Sequence, residues 1–341
     1  MTFSDRLSSW GRSIRWRLSL PLVRFSRDPR HSDVPPDFLI VGLQKSGTYW
    51  LTNLLDNHPG ITCFPTQPSG AKRIHEGHFF DTLGLIDEDS TRFRKIFSRK
   101  HEGRFRDLLR LVDELERHEL LQRFRGRYNS FVQQQKRLNT RLVGEKTPEY
   151  VFYLELIEKL YPGMKKLCIL RNHSDRITSF HHQQRRKGRW KHESVEDWEV
   201  GSYCERIQRE YRALLAHAGS IRLLSYEQLM TEPEVTLTAI LTYLGIAESP
   251  VLITEMIEKA RFERLAGRAR GNADPSSHFR KGLVGEGREV LTRAQQEVVH
   301  QQLDELACQL MERHSLNLSS YLDAAGPSDG VPGSPRAVDE S

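Results

Sequence analysis

Short apolar runs alternate with amphipathic stretches through most of the chain, and this alternation predicts strands followed by helices. Residues 38–41 form an apolar run typical of a strand that is buried on both faces. Further runs of this kind lie at residues 60–64, 142–144, 166–170 and 221–225. Helical patterns follow or separate them, at residues 48–57, 174–186, 203–218, 233–244 and 292–314. The regular alternation favours an α/β fold, in which helices flank a central parallel sheet.

One domain over residues 37–322 is predicted, with a segment at either end outside it. In a chain of 341 residues, a single large domain with insertions fits better than two equal domains. Residues 92–138 are highly charged, and their apolar stripe contains Leu108, Leu111, Val112, Leu115 and Leu120. We interpret them as a helical insertion over the substrate side, and a packed surface helix pair fits the pattern equally well. Residues 323–341 are rich in Gly, Pro, Ser and Asp, so we expect a disordered tail.

Composition and charge narrow the class of protein. Hydrophobic residues make up 38% and charged residues 28% of the chain, as in a soluble protein. The 51 basic against 45 acidic side chains give a net charge of +6, which suits an anionic ligand. Charge alone would also permit nucleic-acid binding, although no motif in the sequence indicates it. The four cysteines have no metal-ligand spacing, so reduced thiols in a cytoplasmic protein are the simplest account.

The basic arm, residues 1–36, has two interpretations. No apolar run in the chain reaches the roughly 18 residues that span a bilayer. The arm also lacks the apolar centre of a secretory signal. Its residues 10–27 combine arginines with Trp, Leu and Val, so peripheral contact with a membrane surface is one interpretation. A solvated arm is the interpretation that we favour.

The segment 37–57 contains the strongest chemical signal in the sequence. Gly42 and Gly47 open the backbone between the first strand and the first helix. Such a loop directs backbone N–H groups and the positive end of the helix dipole toward one point, which suits an anion. The spacing is similar to the nucleotide-binding pattern GxxxxGK[ST], but Thr48 follows the second glycine and the lysine comes earlier, at Lys45. A P-loop kinase is expected to carry its lysine after the second glycine, so this part of the pattern disagrees with a kinase.

Residues 44–50, QKSGTYW, resemble the 5′-phosphosulfate loop of sulfotransferases, commonly written PKSGTTW. The resemblance implies a P-loop-containing nucleotide-binding fold and the donor 3′-phosphoadenosine 5′-phosphosulfate (PAPS). It also implies that the donor's 5′ end is held by Lys45, Ser46, Gly47, Thr48 and Tyr49.

A second sulfotransferase signature, RNPxxRxxS, resembles residues 171–179, with His173 in place of its proline. In the family, its arginine and serine hold the 3′-phosphate of the donor, which here implies Arg171 and Ser179. A cation at a strand end and a hydroxyl two turns into the next helix could hold one phosphate between them. An arginine paired with a neighbouring acid is the structural alternative for Arg171.

Two later segments complete the expected donor site. Residues 278–287 are similar to the family's RKGxxGxW loop, which implies contacts from Arg280, Lys281 and Gly282 to the 3′-phosphate. Gly287 stands near the position of the family's tryptophan, so the aromatic contact is not expected here. Tyr226 matches the tyrosine of a YEDL-like strand end that faces the adenine, and a buried core tyrosine is the alternative.

The acceptor requires a base, because a hydroxyl attacks sulfur poorly until its proton is removed. Residues 76–81, EGHFFD, resemble the KExHFFD segment of glycan sulfotransferases, and residues 145–150 resemble their EKTPxY segment. The resemblance implies Glu76 as the base, with His78 and His75 as alternatives. The histidines at 173, 181 and 182 have no acid or thiol at ligand spacing in the sequence, so we expect no metal ligands.

These observations predict a bacterial-type PAPS-dependent sulfotransferase that modifies a hydroxyl or an amine of a glycan, a glycolipid or a small molecule. By analogy with phosphoryl transfer, catalysis is mostly positioning and charge stabilisation, with Lys45 neutralising charge on the leaving phosphate. The sulfuryl group carries less charge than a phosphoryl group, so no metal is expected. The alternatives are a P-loop kinase of a small alcohol or nucleoside and a non-catalytic nucleotide-binding scaffold.

Overall fold

The protein is described from a computed structural model, which places residues 34–64, 76–81, 117–188, 198–272, 274, 281–317 and 321. Several predictions concern residues outside these ranges: most of the basic arm, residues 92–116 of the insertion, His75, Arg280 and the tail 323–341.

A five-stranded parallel sheet forms the centre of the domain. Its strands are β1 (Phe38–Ile40), β2 (Ile61–Phe64), β3 (Leu142–Lys146), β4 (Lys165–Leu170) and β5 (Arg222–Ser225). They lie in the order β2-β3-β1-β4-β5, and each pair of neighbours is parallel. The first strand is therefore central, between β3 and β4, so the loop that follows it is flanked by the carboxyl ends of both.

Alternate residues of β1 and its extension point into two separate cores. Leu39 and Val41 belong to the cluster on one face of the sheet, whereas Phe38 and Ile40 belong to the cluster on the other. All four side chains are buried, because helices cover both faces. The sequence pattern of a strand buried on both faces is thus confirmed.

Helices account for most of the remaining described chain. They are α1 (Thr48–Asp56), α2 (Arg117–Gln133), α3 (Leu154–Leu160), α4 (His173–Arg186), α5 (Val200–Ala216), α6 (Tyr226–Thr231), α7 (Pro233–Leu244), α8 (Pro250–Lys259), α9 (Phe262–Ala266), α10 (Glu286–Val290) and α11 (Arg293–Arg313). A 3-10 helix, Pro148–Tyr153, precedes α3. Among the described helices, none combines the length and the hydropathy that crossing a bilayer requires. The four cysteines carry no disulfide.

The prediction of an α/β fold with a central parallel sheet is confirmed. Within the insertion, the helical prediction is confirmed for residues 117–133. Two details differ from the sequence prediction. Strand β3 extends two residues further, so that Glu145 and Lys146 are part of the sheet rather than of the following loop. Helix α10 is absent from the helices predicted from the sequence; it begins at Glu286, because the left-handed Gly285 caps it.

Candidate functional site

The glycine-containing loop is fixed by its neighbours on β4. The N–H of Val41 donates to the Leu167 carbonyl at 2.9 Å, and the N–H of Leu43 donates to the Ile169 carbonyl at 3.1 Å. The backbone therefore follows the neighbouring strand for three residues after β1 ends. This attachment holds the start of the loop at the carboxyl edge of the sheet, where ligands of such folds bind.

A buried ion pair supports the loop from α4. The guanidinium of Arg176 donates from Nε and Nη2 to the Gln44 carbonyl, at 3.2 Å in each case. Arg176 also pairs with the carboxylate of Glu210, and both side chains are buried. Since a buried charge is costly unless it is paired, this arrangement resists movement of the loop backbone.

The loop residues predicted from the sequence lie together at the N-terminus of α1. Gly47 has φ +92° and caps the helix, and Thr48 is its first residue. Ser46 is fully buried, and its Oγ has no hydrogen-bond partner among the described residues. Lys45 is half-buried, and burial raises the pKa of Tyr49. A buried hydroxyl without a partner beside a helix N-terminus fits an anion that would accept its hydrogen bond.

Tyr226 joins this loop to the second predicted anion site. It is the first residue of α6, directly after β5, and it is buried. A Cβ at position 47 would lie 2.7 Å from the Tyr226 ring, so the two residues are in direct contact. The guanidinium of Arg171 lies 4.8 Å from the centre of the same ring, and Trp50 meets it edge-on at 5.6 Å. One aromatic ring thus touches both predicted anion sites.

Arg171 stands at the end of β4, as predicted, but it also has structural partners. Its Nη2 donates to Asp175 Oδ2 at 3.0 Å and to the Leu283 carbonyl at 2.9 Å. Its buried Nε has no partner among the described residues. Ser179 is half-buried on α4, one turn beyond Asp175. The structural alternative for Arg171, pairing with a neighbouring acid, is therefore observed. The contact with a 3′-phosphate stays a prediction, and Nε is the donor atom that could make it.

The segment around Gly285 and Gly287, at the start of α10, docks onto α4 through Asp175. The carboxylate of Asp175 accepts hydrogen bonds from the N–H groups of Gly285 (3.0 Å) and Gly287 (2.7 Å). A Cβ on Gly287 would lie 2.4 Å from the Ser174 backbone, so no side chain fits there. This packing explains why a tryptophan is not compatible with position 287 of this chain.

Lys281 and Gly282, two residues predicted to contact the 3′-phosphate, lie just before α10. Lys281 pairs with Glu286 at 3.3 Å and lies 3.9 Å from Glu289. Gly282 has φ +70° and packs against the Phe262 ring, which would be 2.4 Å from an added Cβ. In this arrangement the Lys281 charge is directed to acids of α10, so a donor phosphate would compete with them for it.

On the other side of the loop, Glu76 lies at the carboxyl end of β3. Its Oε1 accepts from Lys146 Nζ at 2.9 Å, and its Oε2 lies 3.4 Å from His78 Nε2. The other ring nitrogen of His78 lies 2.8 Å from Asp81 Oδ2. Lys146 pairs in register with Ile40, the last residue of β1, which places this cluster next to the glycine-containing loop.

The charges of this cluster support one another. Burial favours the neutral form of Glu76, but the Lys146 ammonium and His78 outweigh it and hold the Glu76 pKa well below its usual range. Burial likewise disfavours charge on His78, and the carboxylates of Asp81 and Glu76 outweigh it and raise the His78 pKa to about 10. At neutral pH Glu76 is therefore a carboxylate and His78 is already protonated. While Lys146 and His78 hold it, the Glu76 carboxylate is a weaker base than an ordinary glutamate.

Glu145 is a buried acid whose structural importance the sequence did not reveal. Its Oε1 accepts from the Thr147 hydroxyl at 2.8 Å, and its Oε2 accepts from the Tyr128 hydroxyl at 3.0 Å. A Cβ on Gly77 would lie 2.3 Å from Glu145 Oε1, so the backbone between Glu76 and His78 rests directly on this carboxylate. Burial raises the Glu145 pKa to about 7. The sequence signal was the resemblance of residues 145–150 to a family segment, but it gave no role to the glutamate.

The two halves of the site are also connected by a side-chain contact. Gln44, in the glycine-containing loop, donates from Nε2 to Glu149 Oε1 at 3.2 Å. Glu149 follows β3 in the 3-10 helix, and burial together with the charge of Glu76 raises its pKa. The loop, the Glu76 cluster and the Arg171 site therefore lie along one edge of the sheet.

Several solved structures are similar to the chain at low sequence identity. The solved structures similar to the chain include a sulfotransferase from Alicyclobacillus acidocaldarius, with 19% identity over 84% of this chain and 99% of the other and a TM-score of 0.47. Mouse sulfotransferase SULT7A1, solved in complex with PAP, has 16% identity over 82% and 89%, with a TM-score of 0.49. The sulfotransferase domain of the Synechococcus PCC 7002 olefin synthase has 19% identity over 85% and 98%, with a TM-score of 0.48.

No curated protein matches the sequence significantly. A family model described as the sulfotransferase family matches residues 36–250, which is well over half of the 341 residues. The match includes the glycine-containing loop, the Glu76 cluster, Arg171, Ser179 and Tyr226. The predicted enzyme class is thereby confirmed, and the kinase alternative has no support from the family model. The chain belongs to the sulfotransferase family.

Proposed function

We propose that this sulfotransferase moves the sulfuryl group of PAPS to a hydroxyl of a saccharide-containing acceptor, either a glycan or a glycolipid, and that the transfer uses no metal. The observation that supports it best is the position of the Glu76 carboxylate. It lies at the carboxyl end of β3, 2.9 Å from Lys146 Nζ, and this strand end is adjacent to the glycine-containing loop. A proton acceptor thus lies beside an anion site, which transfer to a hydroxyl requires.

The donor side is supported by groups that fit two phosphates. The backbone N–H groups at the start of α1 and the unpartnered hydroxyl of Ser46 suit the 5′ end of the donor. Arg171 keeps its Nε for a second anion, and Tyr226 links the two positions by direct contact. The donor supplies a sulfuryl group whose departure leaves negative charge on a phosphate oxygen. Lys45, in the loop itself, neutralises that charge.

The acceptor side is supported by contact between two segments. Residues 76–81 and 145–150 both resemble segments of glycan sulfotransferases. In the structure these segments pack on each other: the N–H of Phe79 donates to the Tyr150 hydroxyl at 3.0 Å, and the N–H of His78 donates to the Thr147 hydroxyl at 3.3 Å. They form one unit around Glu76, so a resemblance in both segments concerns the same part of the site.

Turnover with labelled PAPS and a panel of saccharide, glycolipid, phenol and amine acceptors tests this proposal. We expect sulfated saccharide product, a loss of about 10²–10⁴-fold in turnover for Glu76→Gln, and unchanged PAP affinity for that variant. Lys45→Ala should lose both turnover and PAP affinity. Glu255→Gln, an exposed acid on α8, is the matched control and should behave as wild type. Full activity of Glu76→Gln, or transfer to phenols alone, would overturn the proposed base or the proposed acceptor class respectively.

A further inference from the structure

Three potential metal ligands meet where α4 packs against α11. They form a cluster separate from the proposed base, Glu76. His173 is the first residue of α4, and His300 and Asp304 lie one turn apart on α11. One ligand atom from each of the three lies within 4.8 Å of the others. The sequence predicts no metal ligand at His173, because no acid or thiol stands at ligand spacing from it. The fold brings the carboxylate of Asp304 to His173 from 131 positions further along the chain.

His173 is held by a contact to its other ring nitrogen. The side chain is fully buried, and its Nδ1 lies 3.0 Å from the Tyr321 hydroxyl. The Tyr321 hydroxyl in turn lies 3.0 Å from that of Tyr211, and the Tyr321 carbonyl accepts from the Asn172 amide at 3.1 Å. In metal sites, a hydrogen bond of this kind to one nitrogen orients the ring so that the other nitrogen faces the ion.

The remaining nitrogen faces a carboxylate at a spacing that also suits two ligands of one ion. Nε2 of His173 lies 3.0 Å from Asp304 Oδ1, within ion-pair distance. Without a metal, a proton on Nε2 bridges this pair, and a bound cation would take the place of that proton. Ligand atoms bound to one tetrahedral zinc ion at about 2.0–2.2 Å are separated by about 3.3 Å, which is close to the observed spacing.

The third ligand completes a set that is partly open to solvent. His300 Nδ1 lies 3.2 Å and 3.0 Å from the two oxygens of Asp304. The side chains of His300 and Asp304 are 31% and 36% exposed, whereas His173 is closed off, so an ion could enter from one side and keep a water ligand there. Two imidazoles with one carboxylate suit Zn²⁺ and similar transition ions rather than Mg²⁺ or Ca²⁺.

The geometry points to a zinc-type metal site formed by His173, His300 and Asp304. It joins α11 to the N-terminus of α4 and lies outside the groups that we assign to sulfuryl transfer. Its role is therefore structural. A bound ion would brace the start of α4, the helix that carries Asp175 and Arg176 and so supports the loops on both sides of the donor site. The proposed transfer reaction does not use this ion.

Titration of metal-free full-length protein with Zn²⁺, followed by calorimetry and thermal unfolding, tests the site. We expect one equivalent to bind and to raise Tm by about 3 °C or more at a large excess over Kd. Co²⁺ should give visible absorption of a low-coordinate site, and Mg²⁺ should give neither effect. His300→Ala and Asp304→Asn change partly exposed positions, so the fold should persist while Zn²⁺ affinity falls at least about 100-fold.

Two control variants show where the ion binds. His217→Ala removes a histidine that is not part of this cluster and should bind Zn²⁺ as wild type does. Asp81→Asn alters a different histidine–carboxylate contact, the one between His78 and Asp81 beside Glu76, and should also retain the zinc effect. The proposal is overturned if wild type fails to bind Zn²⁺, if His300→Ala binds it equally well, or if the effect is lost in Asp81→Asn instead. Each of the first two outcomes would show that His173, His300 and Asp304 form a metal-free polar cluster.

Discussion

Tyr226 occupies the space that a side chain at position 47 would need. The ring carbon Cδ2 would lie 2.7 Å from a Cβ on Gly47, well inside van der Waals contact. The same ring faces the guanidinium of Arg171 at 4.8 Å. The loop at the start of α1 and the cation at the end of β4 therefore share one rigid neighbour, so a displacement of Tyr226 would affect both anion sites.

Gly47→Ala should weaken donor binding and destabilise the fold. Alanine at φ +92° costs about 1–2 kcal/mol, and the overlap with Tyr226 adds to it, so we expect a loss of about 2–4 kcal/mol in unfolding free energy. PAP affinity, measured by calorimetry, should fall at least about 10-fold. Gly201→Ala is the matched control, because nothing lies within 4 Å of its added Cβ and its helical backbone accepts alanine. Equal behaviour of the two variants would contradict the contact described here.

Lys146→Met should shift the acidic limb of the pH–rate profile to higher pH. The Lys146 ammonium is the strongest of the influences that lower the Glu76 pKa, since it lies 2.9 Å from the carboxylate. Without it, Glu76 is protonated at a higher pH, and a protonated carboxyl cannot accept the acceptor's proton. Plots of kcat/KM against pH for the two proteins measure this shift. An unchanged acidic limb would show that Glu76 is not the group that titrates in the rate.

Periodicity and short motifs were sufficient to predict the strands of the sheet and the glycine-containing loop after β1. The apolar run 38–41, the glycines at 42 and 47 and the strand that ends before Arg171 are local patterns, and local patterns specify strands and turns directly. Helix α7 was predicted over its full length, because Pro233 and Gly245 mark its two ends chemically. Resemblance then supplied the family, which the family model confirms.

Long-range contacts could not be predicted in this way. The sequence gives no sign that Gly285 and Gly287 dock onto Asp175, or that Asp304 reaches His173, since more than 100 residues separate the partners in each case. Burial of Glu145 was hidden for a similar reason. An acid at a strand end is usually an exposed or ligand-facing residue, but Tyr128 from α2, Thr147 and the backbone at Gly77 enclose this one. Such contacts depend on how elements are arranged in space, which periodicity does not encode.

Glu145→Gln should change the pH dependence of stability. The Glu145 pKa is raised from 4.5 to about 7 in the folded state, so the folded protein binds this proton more tightly than the unfolded chain does. The stabilisation is fully present below about pH 4.5 and is lost as pH rises through about 7. A fully buried neutral glutamine does not ionise, so the variant should gain up to a few kcal/mol relative to wild type between pH 4.5 and pH 7.5. Chemical denaturation at both pH values measures this difference.

Glu155→Gln provides the comparison for that experiment. Glu155 is exposed, and its hydrogen bond and ion pair with the Lys159 ammonium lower its pKa, which is the opposite direction to the change at Glu145. Its substitution should therefore leave the pH dependence close to that of wild type. If Glu145→Gln and Glu155→Gln behaved alike, the Glu145 carboxyl would be ionised in the folded protein over the whole range, and the enclosure by Tyr128 and Thr147 would stabilise a carboxylate rather than a carboxylic acid.

Arg171→Lys tests whether the 3′-phosphate site and the 5′-phosphate site bind their ligands independently. Lysine keeps a positive charge for Asp175, so the fold should be retained, but it lacks the planar fork that reaches Asp175, the Leu283 carbonyl and a ligand together. PAP carries a 3′-phosphate that AMP lacks, while both have the 5′-phosphate. We therefore expect PAP affinity to fall about 10-fold or more and AMP affinity to stay near wild type. Lys45→Ala should weaken both ligands, because it acts on the shared 5′ end. If Arg171→Lys weakened AMP as much as PAP, Arg171 would act through the shape of the loop, and the assignment of a separate 3′-phosphate site to the end of β4 would be wrong.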